Sequence, residues 1–163
     1  MSFIVIFLGS KSDLDIAEYT INILKKFEVD YRLIISSAHR EPKRTIEEIN
    51  KYKDASIFIG IAGMSAHLPG FIAAQTIKPV IGVPVEVGGL GGLDSLLSIS
   101  QMPSGIPVAT MSIGKPGAIN AALFAIGILA INNKRIEKKI KKYREENRRT
   151  KEKVEIQNIN LGG

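Results

Sequence analysis

Short apolar, β-branched runs alternate along this chain with stretches of helical periodicity. Phe3 to Leu8 is an unbroken apolar run ending at Gly9, which predicts a buried strand. Asp13 to Phe27 places Leu14, Ala17, Ile21, Leu24 and Phe27 on one helical face. Tyr31 to Ile35 reads as a second strand, and Pro42 to Tyr52 as a helix with proline in its first turn. Ser56 to Ile61, Val80 to Val83 and Pro107 to Met111 read as three further strands. Helices are expected over Ala66 to Thr76 and Gly117 to Ile131, the latter apolar except for Asn120. Ile136, Ile140 and Tyr143 then mark one narrow apolar stripe on a basic helix. The segment Pro84 to Gly105 breaks the rhythm with Gly88-Gly89, Gly91-Gly92 and Pro103-Ser-Gly, and is expected to be a long glycine-rich loop.

Strands alternating with helices imply a parallel sheet covered on both faces: a three-layer α/β sandwich of about five strands. The expected organisation is one domain over residues 1–132, a basic helix over 133–153 that packs on the body or on a neighbouring subunit, and a loose tail over 154–163. A chain of 163 residues holds one core of ordinary size.

Composition removes several classes of chemistry. With no cysteine, disulfides, thiolate metal sites and cysteine nucleophiles are excluded, and His39 and His67 are too few for a polyhistidine metal centre. The apolar segments are too short to span a bilayer, the start of the chain lacks the pattern of an export signal, and a cytoplasmic location is expected. The net charge of +6 is concentrated: residues 134–153 hold 11 Lys/Arg against 4 Asp/Glu. That arm has two readings, a solvated helix face or a surface for nucleic acid, and the apolar stripe favours the former.

In open α/β sheets, ligands sit beyond the carboxyl ends of the strands. The residues found there are Gly9-Ser-Lys-Ser-Asp13, Ser36-Ser-Ala-His-Arg40 and Ala62-Gly-Met-Ser-Ala-His-Leu-Pro-Gly70. The first segment opens a helix, where free backbone N–H groups and the hydroxyls of Ser10 and Ser12 suit an anion. Asp13 is either a helix cap or an acceptor for ribose hydroxyls. Arg40, with Ser37 beside it, suits a phosphate; the plainer reading is a surface arginine held by Glu41. His39 is either a proton shuttle near neutrality or a cap on the next helix, and His67 either a site residue or a structural one.

Taken together, Gly9 to Asp13, Ser37 to Arg40, Ala66 to Gly70, Asp94-Ser95, Gln101-Met-Pro103, Gly105-Ile-Pro107 and Asn120-Ala-Ala122 make the sequence similar to the N5-carboxyaminoimidazole ribonucleotide mutase family, the catalytic subunit of phosphoribosylaminoimidazole carboxylase. The resemblance runs in order from residue 9 to about residue 130. It implies a flavodoxin-like domain assembled as a homo-octamer, with sites shared between subunits and a last helix reaching over a neighbour. It implies a ribonucleotide substrate in purine biosynthesis, with the carboxylate moved from the exocyclic nitrogen to ring carbon 4. No cofactor, metal, nucleic acid or membrane is implied.

On that resemblance Ser10, Ser12, Ser37 and Arg40 cradle the 5′-phosphate and Asp13 takes the ribose hydroxyls. His39 shuttles the proton, and His67, with Ala62, Gly63, Ser65 and Leu68, shapes the carboxylate pocket. Glycines 88–92 are expected to allow close approach to that pocket. Met64, Ser65 and Ser104 depart from the common mutase pattern, which has small residues at the first pair and often arginine at the last. Ser65 echoes a sister pattern, direct carboxylation of aminoimidazole ribonucleotide by carbon dioxide. A non-catalytic nucleotide-binding module is the third alternative, and the presence of His39 argues against it.

Overall fold

The computed structural model describes residues 2–152; the expected tail and Lys153 lie outside the described residues. Five strands form one parallel sheet in the order β2-β1-β3-β4-β5. They are β1 (Phe3–Leu8), β2 (Asp30–Ile35), β3 (Ile57–Gly63), β4 (Val80–Val85) and β5 (Ala109–Thr110). The helices are α1 (Leu14–Phe27), α2 (Pro42–Lys51), α3 (Leu68–Ala73), α4 (Leu93–Ser100), α5 (Gly114–Ala130) and α6 (Lys134–Glu152). This is the flavodoxin-like three-layer arrangement.

The sheet is apolar on both faces because each is covered. Ile4, Ile6 and Leu8 of β1 join Ile57, Ile59 and Ile61 of β3 in a cluster under α1 and α5. The alternate residues Val5, Phe7 and Phe58 face Ile49 of α2, Ile72 of α3 and Ile99 of α4. This period-two division explains why the central strands read as continuous apolar runs rather than alternating ones. Small residues let α1 and α5 approach closely: Ala17 faces Ala118, Ala121 and Ala122 in the same cluster. The one polar group there, the Thr20 hydroxyl, donates to the Ala118 carbonyl at 2.9 Å, so burial leaves it satisfied.

Three expectations need correction. The segment Pro84 to Gly105 is not one long loop, because α4 lies within it. Ile99 anchors α4, while Ser95 donates to the carbonyls of Val85 and Gly92 at 3.0 and 2.8 Å. An eight-residue helix that follows a glycine-rich stretch offers too few turns to show its period. Strand β4 continues through Pro84 to Val85. Gly82 turns its carbonyl toward β5, accepting from the Met111 N–H at 2.8 Å. Pro84, two residues on, faces the same way past the end of β5, so its missing N–H interrupts no pair. Strand β5 is shorter than the predicted Pro107 to Met111, since proline cannot donate to the ladder.

The apolar stripe of α6 packs on the α1–α5 side, where Ile136, Ile140 and Tyr143 are partly buried. Tyr143 meets Phe27 edge-on at 5.5 Å between ring centres. Glu28, in the left-handed conformation that ends α1, is bridged by Arg135 and, at 2.9 Å, by Lys139, which hold its carboxyl below the ordinary value. Part of the arm's positive charge is thus spent on pinning it to the body.

Candidate active site

Parallel strands all deliver their following loops to one edge, and the loops after β1, β2 and β3 enclose a cavity of about 430 Å³ there. Its walls include Ser10, Ser12, Asp13, Ser37, His39, Arg40, Ala62, Gly63, Ser65, His67 and Leu68. Every residue singled out as a site candidate from the sequence therefore lies on this one cavity. Its size suits a mononucleotide.

The loop after β1 is a 3-10 turn, Lys11–Asp13, closed reciprocally. The Ser10 hydroxyl accepts from the Ser12 N–H at 3.4 Å, and the Asp13 carboxylate accepts from the Ser10 N–H at 3.0 Å. Asp13 caps backwards onto this turn rather than forwards onto α1, and only 3% of it is exposed. Burial pushes its carboxyl above the usual aspartate value, with the hydrogen bonds from Ser10 and Ser12 opposing. The folded protein then holds the Asp13 proton more tightly than the unfolded chain does. Its contribution to stability is greatest below the ordinary aspartate pKa and is lost as pH rises through the raised value. Asparagine would keep the bond from Ser10 with no charge to desolvate. Asp13→Asn is expected to gain stability relative to wild type as pH rises, measured by denaturant unfolding from about pH 3 to 8. A difference independent of pH would remove burial as the dominant influence on Asp13.

The loop after β2 is braced from below. The buried hydroxyls of Ser36 and Thr45 lie 2.8 Å apart, and the Glu41 N–H donates to the Ser37 carbonyl at 2.8 Å. This bracing presents Ser37, His39 and Arg40 at the rim. Glu41 bonds to Arg44, at 3.1 Å, rather than to Arg40. The Arg40 guanidinium instead reaches across to the Gly9 carbonyl at 3.5 Å, which leaves most of its donors turned to the cavity and solvent.

The loop after β3 turns sharply, with positive φ at Met64 (54°) and Ala66 (22°), and delivers His67 to the start of α3. There the His39 Nε2 and the His67 Nδ1 share a short hydrogen bond, with the two rings edge-on at 4.6 Å between centres. Neither histidine caps a helix through its side chain. A shared proton between those two nitrogens fixes the ring of His39 and ties its tautomer to that of His67. The sequence placed both histidines on the same edge of the sheet but carried no sign that they meet.

Val87 is a wall residue that the sequence reading missed. It follows β4, so the strand-end rule used for the first three strands would have found it. Its Cγ2 lies 2.6 Å from where a side chain at Gly63 would begin, so glycine is required at 63 by close approach. Glycines 88–92 do not line this cavity; side chains at Gly88, Gly89 and Gly91 would meet nothing within 4 Å, whereas one at Gly92 would fall 2.7 Å from the Ile113 Cγ2. Gly88 and Gly91 instead supply positive φ angles.

A parallel α/β domain that gathers an arginine, several hydroxyls and a bonded histidine pair in one cavity at its strand ends has the layout of an enzyme for a small polar substrate. Comparison with known proteins narrows that class. A model of the AIR carboxylase family matches residues 3–150, and the chain belongs to this family. It is 53% identical over 142 residues to the N5-carboxyaminoimidazole ribonucleotide mutase of Methanocaldococcus jannaschii, covering 87% of this chain and 88% of that one. The mutase of Escherichia coli is 43% identical over 143 residues, 86% of this chain and 85% of the relative. The crystal structure of Treponema denticola PurE superposes with a TM-score of 0.85 at 31% identity, covering 92% of this chain and 94% of that one.

Proposed function

We propose that this protein converts N5-carboxyaminoimidazole ribonucleotide to 4-carboxy-5-aminoimidazole ribonucleotide in purine biosynthesis. The observation that carries the reading is the single cavity holding Arg40, four serines and the bonded His39–His67 pair, in a chain whose relatives bear the mutase name.

In this reading Arg40, with Ser10, Ser12 and Ser37, holds the 5′-phosphate, and Asp13 accepts from the ribose hydroxyls. The exocyclic N–C bond of the carbamate breaks, carbon dioxide leaves, and the nitrogen takes a proton from His39. Ring carbon 4 then attacks the same carbon dioxide, held beside it, and its displaced proton returns to His39. No net proton is gained or lost, so one imidazole completes the cycle. His67, bonded to it, sets which nitrogen of His39 carries the proton.

Self-association completes the proposal. Helix α5 is apolar around its circumference, and while Ala118 and Ile126 are buried, Phe124 is 47% exposed. A helix apolar on all sides calls for a cover on each. An assembly of identical subunits, an octamer on the family resemblance, supplies one. Among the described residues no helix is long and apolar enough to cross a membrane, and the proposed location is the cytoplasm.

The test is conversion of the carbamate substrate in buffer stripped of bicarbonate. Formation of the carbon-4 isomer supports the mutase; product only from aminoimidazole ribonucleotide with dissolved carbon dioxide would replace it with direct carboxylation. Arg40→Ala is expected to raise the Kd of every ligand carrying the 5′-phosphate by roughly 10- to 100-fold, the worth of a charged hydrogen bond. The affinity for the corresponding nucleoside should stay unchanged, as titration calorimetry would read.

A further inference from the structure

The loop after β2 carries Ser37, His39 and Arg40, yet little holds the two larger side chains themselves. Among the described residues, the His39 ring hydrogen-bonds only to His67, and the Arg40 guanidinium makes one long contact, 3.5 Å, with the Gly9 carbonyl. Where they reach is therefore decided by the backbone that carries them.

That backbone is clasped across its base. Ser36 is the first residue of the loop, and Glu41 is the last before α2. The Thr45 hydroxyl has one proton, which it donates to the Glu41 carbonyl at 3.0 Å. The 2.8 Å bond between the two hydroxyls must then run from Ser36 to Thr45. The Ser36 N–H in turn donates to the Leu8 carbonyl at 3.0 Å, which ties the clasp to the end of β1. A threonine bonding back four residues along its helix is ordinary. A second buried hydroxyl donating to it is not: among the described residues this is the one buried hydrogen bond between two side chains.

Packing alone would not select this pair. Ser36 is 1% exposed and Thr45 is fully buried. Helix α2 buries just two residues, Thr45 and Ile49, and Ile49 belongs to an apolar cluster with Phe7, Ile34 and Ile72. Alanine and valine would fill nearly the same space with no polar group to desolvate. Unlike an apolar contact, a hydroxyl relay has a preferred direction as well as a preferred distance.

We propose that Ser36 and Thr45 are positioning residues: their relay fixes the span of the loop, and with it the reach of His39 to His67 and of Arg40 into the cavity. In its effect on turnover this rests on the reaction proposed above.

The experiment compares the double variant Ser36→Ala/Thr45→Val with Thr45→Ser. The double variant removes both hydroxyls together and strands no buried donor, and the Glu41 carbonyl keeps the backbone N–H of residue 45, at 3.0 Å. Its melting temperature should stay within about 3 °C of wild type. Its turnover of the carbamate substrate should fall roughly 10-fold, short of the roughly 10²-fold that a misplacement of about 1 Å brings. A second reading needs no reaction. His39 and His67 are the only histidines of the chain, so nitrogen-15-labelled imidazole signals report this pair alone. In the double variant both should move by more than their linewidth as the bond between the rings loosens. Thr45→Ser keeps the hydroxyl and gives up a methyl group, so its turnover and ring signals should stay close to wild type. Unchanged ring signals in the double variant would overturn the proposal, as would unchanged turnover. An equal loss of turnover in Thr45→Ser would assign the effect to packing and overturn it too. So would a larger fall in melting temperature, which would mark the pair as an ordinary contact of the fold. Wild-type protein that makes no product from the carbamate would overturn the reaction alone, and the ring signals would then decide the positioning.

Discussion

Replacing His39 by asparagine should lower turnover by roughly 10²- to 10⁴-fold while leaving the fold and nucleotide affinity in place. Asparagine is compact and polar, but it stops short of the position of the Nε2 that bonds His67 and cannot carry a proton through the cycle. The 5′-phosphate contacts proposed for Arg40 and the serines come from other atoms, so binding should survive. The contrast with His67 is informative. His67→Ala removes the group that fixes the ring of His39, and an intermediate loss of turnover, with a changed pH–rate profile, is expected. Steady-state rates across pH, together with ligand titration, check both variants. His39→Asn turning over at near the wild-type rate would remove that histidine from the chemistry.

Gly117→Ala should be the most destabilising single methyl addition in the fold. A β-carbon at Gly117 would lie 1.6 Å from the Ser112 carbonyl oxygen, well inside any allowed contact. The obstacle is backbone, not a flexible side chain, and Gly117 sits in the first turns of α5, beside the Ala118 that packs on α1. Either the turn between β5 and α5 must open or the helix must shift against α1. Overpacking of this kind costs about 3 kcal/mol or more. For a chain of this size that corresponds to a fall in melting temperature on the order of 10 °C. Thermal unfolding followed by circular dichroism tests it; a shift under about 2 °C would mean that the β5–α5 turn yields easily. Gly82→Ala offers a graded comparison, because the nearest obstacle there, 2.4 Å away, is the side-chain Cγ2 of Ile99.

The largest structural elements were legible because their signals are local and long. The β1 run from Phe3 to Leu8 and the spacing of Leu14, Ala17, Leu24 and Phe27 need only a window of a few turns. Placement of the site followed from one general rule: parallel strands send their ends to one edge, which gathers Ser10, Arg40 and His67 without knowledge of any contact. Helix α4 was illegible because two turns after a glycine-rich stretch do not establish a period, and Val87 lies past β4, beyond the first three strand ends that the rule was applied to.

The amino-acid order by itself therefore determined the strand–helix alternation, the parallel sheet and the set of residues at its functional edge, since periodicity, glycine and proline act within a few residues. Only the tertiary structure decided which of them touch. His39 and His67 are 28 positions apart and meet through the relative placement of two loops. The Asp13 carboxyl is raised by burial under neighbouring elements, a property no local pattern contains. Nor does any local pattern show that Tyr143 of α6 meets Phe27 of α1 edge-on. Contacts between distant segments depend on the summed geometry of every element between them, which is why they emerge only when the whole chain is folded.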